Sequence, residues 1–224
     1  MSCWALIALK SFTCGKSRLA QVLSPDAREA LSRSMLDHVV QALQASREVD
    51  GIAIVTPECA ALPASVRVLH DPGGGLNAAL ASGAKQLAAL GASELLVLHA
   101  DLPLLAPDEV DDFIASARHS GLGLASDRIG HGTNAIFVAP PLAIEFCFGR
   151  YSFARHQQQA RERGLQPFIA RSAGFAFDID EPADLEALLA AHGERFATTL
   201  DAWKPTPWTT RLNDCSTLPA TEHG

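Results

Sequence analysis

The stretch Glu94-Leu-Leu-Val-Leu-His-Ala-Asp-Leu-Pro-Leu-Leu105 constrains the fold more than any other part of this chain. Leu95 to Leu98 are consecutively apolar, the pattern of a strand buried on both faces, as in a parallel sheet. The strand delivers Asp101 at its C-terminal end, and Pro103 stops the ladder from continuing. In open α/β sheets that edge is where ligands bind, so Asp101 is a candidate metal ligand.

Strand and helix signals alternate around this run. Cys3–Leu9 reads as a first strand rather than a signal peptide, because it lacks a basic leader and Lys10 cuts it short. Ser24-Pro25 then opens a helix with Ala27, Leu31, Met35, Val39 and Leu43 on one face. Gly51–Thr56 and Val66–Leu69 are further strands, and Gly73-Gly-Gly75 opens a helix from Leu76 to Leu90, closed by Gly91. Pro107–His119 is predicted as helix and Leu122–Ala125 as strand. Asn134–Val138 follows as a strand, Ser152–Arg163 as a helix, and Phe175–Phe177 as the last strand, before a helix over Pro182–Ala191. This order predicts an α/β fold, a mainly parallel sheet with helices on both faces. Residues 1–193 form one domain in this reading, and 194–224 a polar, proline-bearing tail that is disordered or adds one helix.

Composition narrows the function. The five cysteines are scattered without a C-x-x-C pair, which points to a reducing cytoplasm and away from a cysteine zinc site. A net charge of −7 disfavours nucleic acid as a partner, and no apolar run is long enough to cross a membrane. A small polyphosphate remains compatible if cations gather locally.

The chemistry-bearing segments cluster after strands. Gly15-Lys16-Ser17 looks like the end of a P-loop, but the glycine required five positions before Gly15 is Lys10, so that motif fails. What remains is Lys10, Lys16 and Arg18 on the loop after the first strand, suited to a triphosphate or simply solvated. Asp71-Pro-Gly-Gly-Gly-Leu-Asn77 lets backbone N–H groups approach an anion or a base, or is a tight turn with Asn77 as cap. Asp178 and Asp180 alternate after an apolar segment and read either as strand-end carboxylates or as a helix-initiating turn. Gathering them with Asp101 costs about 1 kcal/mol per pair at 4 Å in water and about 4 at an effective dielectric of 20, so cations are required. All-oxygen ligation beside an anionic partner selects magnesium over zinc. Gly130-His-Gly-Thr-Asn134 and Phe148-Gly-Arg-Tyr-Ser-Phe-Ala-Arg-His156 are two loops that could hold a phosphorylated acid through backbone N–H groups and Ser152. Their alternative is a hairpin turn for Gly130 and Gly132, and a half-buried helix position for His156.

At these residues the chain resembles the 2-phospho-L-lactate guanylyltransferases, the CofC/FbiD family of coenzyme F-420 biosynthesis. The matching segments are Lys10 through Lys16-Ser-Arg-Leu19, Gly75-Leu-Asn77, Ala100-Asp-Leu-Pro103, Gly132-Thr-Asn134, Phe148-Gly-x-x-Ser-Phe-x-x-His156 and Asp178-x-Asp180. The resemblance implies a nucleotidyltransferase of the glycosyltransferase-A-like, Rossmann-like fold, with Asp101, Asp178 and Asp180 holding magnesium. It implies that Lys10, Lys16, Arg18, Gly75 and Asn77 meet GTP, that Thr133, Gly149 and Ser152 bind the acid, and that Lys16 and Asp101 are catalytic. The expected reaction joins GMP to 3-phospho-D-glycerate, phosphoenolpyruvate or 2-phospho-L-lactate and releases pyrophosphate, for a downstream pathway enzyme to consume. Arg150 and Tyr151 beside the acid loop favour the glycerate. The alternatives are a molybdenum-cofactor type nucleotidyltransferase, a glycosyltransferase using Asp178-x-Asp180, and a non-catalytic GTP-binding module.

Overall fold

The computed structural model describes residues 1–190 apart from 11, 13, 14, 58–61, 141 and 142. The expected boundary near residue 193 and the tail beyond it lie outside the described residues.

Seven strands form one sheet in the order β3-β2-β1-β4-β6-β5-β7. They are β1 (Cys3–Ala8), β2 (Gly51–Thr56), β3 (Arg67–His70), β4 (Glu94–Leu98), β5 (Leu122–Ser126), β6 (Thr133–Val138) and β7 (Phe168–Ala170). β1 pairs in parallel with β2 and β4, β2 with β3, and β5 with β7. β6 alone runs antiparallel, against both β4 and β5. Residues 127–132 between β5 and β6 are too few for a crossover, so the chain must fold back as a hairpin.

The central strands are buried on both sides, as the apolar run at 95–98 predicts. Cys3, Ala5, Ile7, Leu96 and Leu98 face one layer, with α1 (Pro25–Ala45) and α3 (Pro107–Arg118). Leu6, Leu95 and Val97 face the other, with α2 (Leu76–Ala89) and α4 (Ser152–Glu162). Helix α1 begins as its sequence dictates, with the Ser24 hydroxyl accepting the Ala27 N–H at 3.2 Å and Pro25 in the first turn. Its upper face, Leu31 and Met35, joins Leu19, Ile179, Leu185 and Leu188 in a third cluster.

The expected strand Phe175–Phe177 does not form. Ala173–Ala176 is a short helical turn, α5, with the Gly174 N–H bonded to the Glu109 carboxylate at 3.0 Å. Phe175 is fully buried against Phe113, with ring centroids 4.9 Å apart. The free edge of β5 that such a strand would need is already taken by the short strand β7, which the sequence pattern does not announce. Asp178 and Asp180 therefore do not reach the site by strand alternation. They flank Ile179, which is fully buried in the third cluster and pins the segment to α1 and to the helix over 182–190.

Candidate active site

Strand β1 sits between two parallel neighbours, and the chain leaves it toward β2 while β4 closes its other side. Such a reversal of strand order opens a crevice at the carboxyl ends of β1 and β4. Leu9, Lys10 and Lys16 from the loop after β1, His99 and Asp101 from the end of β4, and Leu76 from α2 line a cleft of about 220 Å3 there.

Lys16 holds a left-handed backbone conformation (φ 54°) just before a 3-10 turn, Ser17–Gln21. Its ammonium hydrogen-bonds the Asp101 carboxylate and lies 3.0 Å from Asp180 Oδ1. Burial opposes the charge on Lys16, but Asp101 and Asp180 outweigh it and hold the amine above its usual range. Burial likewise pushes Asp101 up, and Lys16 with His99 more than offsets it, so its carboxyl stays below the usual range. Asp178 goes the other way. Burial and the neighbouring charges of Asp101 and Asp180 raise it, against the hydrogen bond from Asn134 Nδ2 at 3.2 Å. Asp101, Asp178 and Asp180 thus act on one another, and among the described residues a single ammonium, that of Lys16, is bonded to two of them.

The segment is a helix-initiating turn and also contributes to the site: Asp184 accepts the backbone N–H groups of Asp180 and Glu181 at 2.9 and 2.7 Å ahead of the helix over 182–190, while the Asp180 side chain bonds Lys16. Among the described residues, no group of three Asp, Glu, His or Cys side chains forms a ready metal cage. Asp101 Oδ1 is nevertheless buried without a hydrogen-bond partner, a costly state that an incoming cation would relieve. The donor set is all oxygen, so the residues present fit a hard divalent ion.

The other predicted cations are less concentrated. Lys10 is exposed at the rim of the cleft, and Arg18 turns to Glu181 at 3.3 Å on the surface. Gly75 caps α2 at φ 91°, ψ −177°, a conformation open only to glycine, which explains its place in the motif. Asn77 is not a helix cap. Its amide bonds the backbone of Phe148, N–H and C=O alike.

The three residues expected at the acid, Thr133, Gly149 and Ser152, come together, with the Gly149 carbonyl accepting the Ser152 N–H at 3.0 Å. Ser152 Oγ is 3.1 Å from Thr133 Oγ1, which is 3.0 Å from Nδ1 of His156. Nε2 of His156 accepts the Cys147 N–H at 3.0 Å. Burial, helped by the Arg155 charge, pulls the imidazole down to about 4. The ring is therefore neutral near pH 7, and with Nε2 accepting, its proton sits on Nδ1 and points at Thr133. His156 is fully buried, not half-buried. The backbone N–H groups of the Gly130–Gly132 loop are not free for an anion. Asp127 accepts those of His131 and Gly132 at 2.8 and 2.7 Å, so this loop is the hairpin turn of the alternative reading. Arg150 lies over the Tyr151 ring at 4.8 Å and bonds its hydroxyl at 3.1 Å, so the two side chains engage each other at the surface.

Two contributors are not evident from the motifs alone. His99 packs on Phe148 with centroids 5.3 Å apart and places Nδ1 3.8 Å from Asp101 Oδ1. Asn134, inside a matching segment, uses Nδ2 to bridge the Phe175 carbonyl and Asp178. The signal for His99 lies in its position two residues before Asp101 at the end of a buried strand.

A mixed, mostly parallel sheet thus gathers carboxylates and a lysine at its switch point. A solved structure described as a nucleotide-diphospho-sugar transferase, from Desulfovibrio desulfuricans G20, superposes with a TM-score of 0.74 at 17% identity, covering 91% of this chain and 97% of its own. A 4-diphosphocytidyl-2C-methyl-D-erythritol synthase gives 0.59 at 15% identity, covering 84% and 96%. At those identities they speak for the fold alone. Sequence carries the assignment further. Residues 3–200 match the family described as guanylyl transferase, CofC like, and the chain belongs to that family. The phosphoenolpyruvate guanylyltransferase of Sphaerobacter thermophilus is 46% identical over 192 residues, 84% of this chain and 93% of the relative. That of Rubrobacter xylanophilus is 37% identical over 201 residues, 88% and 98% respectively.

Proposed function

We propose that this protein transfers GMP from GTP to phosphoenolpyruvate and releases pyrophosphate, as a cytoplasmic step of coenzyme F-420 biosynthesis. The observation that carries the reading is the convergence of Lys16, Asp101 and Asp180 at the switch-point cleft, in a chain of the guanylyl transferase family. The names of the relatives favour phosphoenolpyruvate over the glycerate. The case for the glycerate rested on Arg150 and Tyr151 reaching the acid, and these side chains are instead stacked on each other.

The acid's phosphate has a second pKa near 6, so it is mostly dianionic at neutral pH and attacks the α-phosphorus without a general base. Catalysis is then positioning and charge neutralisation. Asp101, Asp178 and Asp180 would hold magnesium, which supplies Lewis-acid charge at the phosphates. Lys16, on the loop after β1 and lining the cleft, is placed to meet the triphosphate. Thr133 and Ser152 are held beside the acid subsite by His156, and the cleft side of Leu76 and Leu80 supplies the apolar wall for the nucleotide.

Pyrophosphate release is the test, measured with GTP, magnesium and each of the three acids in turn, with ATP and CTP as alternative donors. The expected result is turnover that requires GTP and is fastest with phosphoenolpyruvate, lost by at least about 100-fold in Asp101→Asn. Turnover with a sugar phosphate but none of the acids, or an Asp101→Asn variant near wild-type rate, would overturn it.

A further inference from the structure

Asn77 lies in the first turn of α2, two residues after Gly75, on the segment that sequence assigns to the nucleotide. Its side chain is committed elsewhere. Oδ1 accepts the Phe148 N–H at 2.7 Å, and Nδ2 donates to the Phe148 carbonyl at 3.2 Å. These are the two bonds a neighbouring strand would make to one residue, so a primary amide stands in for a piece of sheet between segments 71 residues apart. The Phe148 ring is held as well, by His99 at 5.3 Å and His156 at 5.2 Å.

The loop after Phe148 needs such an anchor. Gly149 has φ 118° and Tyr151 φ 55°, both in the left-handed half of conformational space. A loop with two such residues keeps its shape only when its surroundings over-determine it. Immediately upstream of this pair, the Phe148 backbone is fixed by Asn77, with a longer contact from Arg155 at 3.4 Å to the same carbonyl. On the other side of the link, Leu76 lines the cleft and is adjacent to Asn77 in the same helical turn.

We infer that Asn77 is a positioning residue that couples the two subsites. Its amide carries any adjustment of the head of α2, on the nucleotide side, to the loop 148–152 on the acid side. The identity of the two subsites rests on the function proposed above, while the link itself does not. Coupling of this kind is reciprocal: if GTP organises the acid loop, the acid tightens GTP by the same factor.

The Phe148 amide reports on the link directly, since its proton is the one Asn77 accepts. In the wild-type chain, GTP without acid should slow hydrogen exchange at Phe148 and Ser152. Asn77→Leu, which removes both bonds at similar volume, should speed ligand-free exchange at Phe148 and raise the KM for the acid, each by about tenfold. The Kd for GTP measured alone should move by less than about twofold, and the dependence of acid affinity on GTP should vanish. Asn77→Asp keeps the acceptor and sets a carboxylate against the Phe148 carbonyl, so it should fall between the two and guards against a variant that misfolds. A GTP Kd that rises as much as the acid KM would overturn the inference in favour of a direct nucleotide contact. Faster exchange with unchanged acid KM would overturn it in favour of a purely structural bond. A wild-type chain without turnover on any acid would refute the proposed function, and the response of Phe148 exchange to GTP would still decide whether the link transmits.

Discussion

Acidification should weaken this protein through one buried imidazole. His156 is fully buried, accepts the Cys147 N–H at Nε2 and meets Thr133 at Nδ1, with its pKa pulled from 6.5 to about 4. Between those values the unfolded chain binds a proton that the native chain refuses, so stability rises with pH across the window and is lost as pH falls from 6.5 toward 4. At about 1.4 kcal/mol per unit, the full window is worth about 3 kcal/mol, of which about 2 is already gone at pH 5. That is a large fraction of a typical domain's stability. The assay is urea unfolding of the wild type and of His156→Phe at matched pH values from about 7.5 to 4.5. Other carboxylates titrate in both proteins, so the difference between the two curves isolates the imidazole. The wild type should lose about 2 kcal/mol more than the variant by pH 5. Parallel curves would refute the argument, and would mean that the ring protonates in place with the Cys147 N–H finding another acceptor.

Lys16→Met removes an ammonium bonded to Asp101 and Asp180, so the ligand-free Tm should fall and the rise in Tm on adding magnesium should exceed that of the wild type; equal rises would show that the ion does not enter beside Asp101. Gly149→Ala forces a Cβ onto φ 118°, and should cost about 1–2 kcal/mol in unfolding experiments while raising the KM for the acid more than that for GTP.

The parts of this molecule that were legible in sequence are those whose cause is local. The Leu95–Leu98 run is apolar at every position, and a strand buried on both faces is the solution for so short a run after a helix. Ser24-Pro25 and Gly91 mark helix ends through their own backbone chemistry, and the structure places the ends there. The failures share a different cause. Phe175 and Phe177 alternate as a strand would, and nothing nearby reveals that the Glu109 carboxylate captures the Gly174 amide from another helix. Amide groups in the Gly130–Gly132 loop look equally suited to a phosphate or to a carboxylate of the chain, and Asp127 takes them. Asn77 read as a cap or a nucleotide contact because its partner lies 71 residues on. The pairing of Lys16 with Asp101 and Asp180 spans 85 and 164 residues, a distance over which a one-dimensional pattern holds no geometric information.

That last separation also sets when the proposed site can be completed during synthesis. Strands β3-β2-β1-β4, four of the seven and the floor of the cleft, have all emerged once residue 98 is made. By residue 101 the nascent chain contains Lys16 and Asp101 and lacks Asp178 and Asp180, which arrive only with Ile179 and the helix over 182–190 that seats them on α1. A chain interrupted before that point lacks the Asp180 carboxylate that bonds Lys16. If Asp178 and Asp180 serve the site as proposed, a translation product cut short near residue 170 is expected to be an inert precursor, and pyrophosphate release from that truncated chain would refute their role.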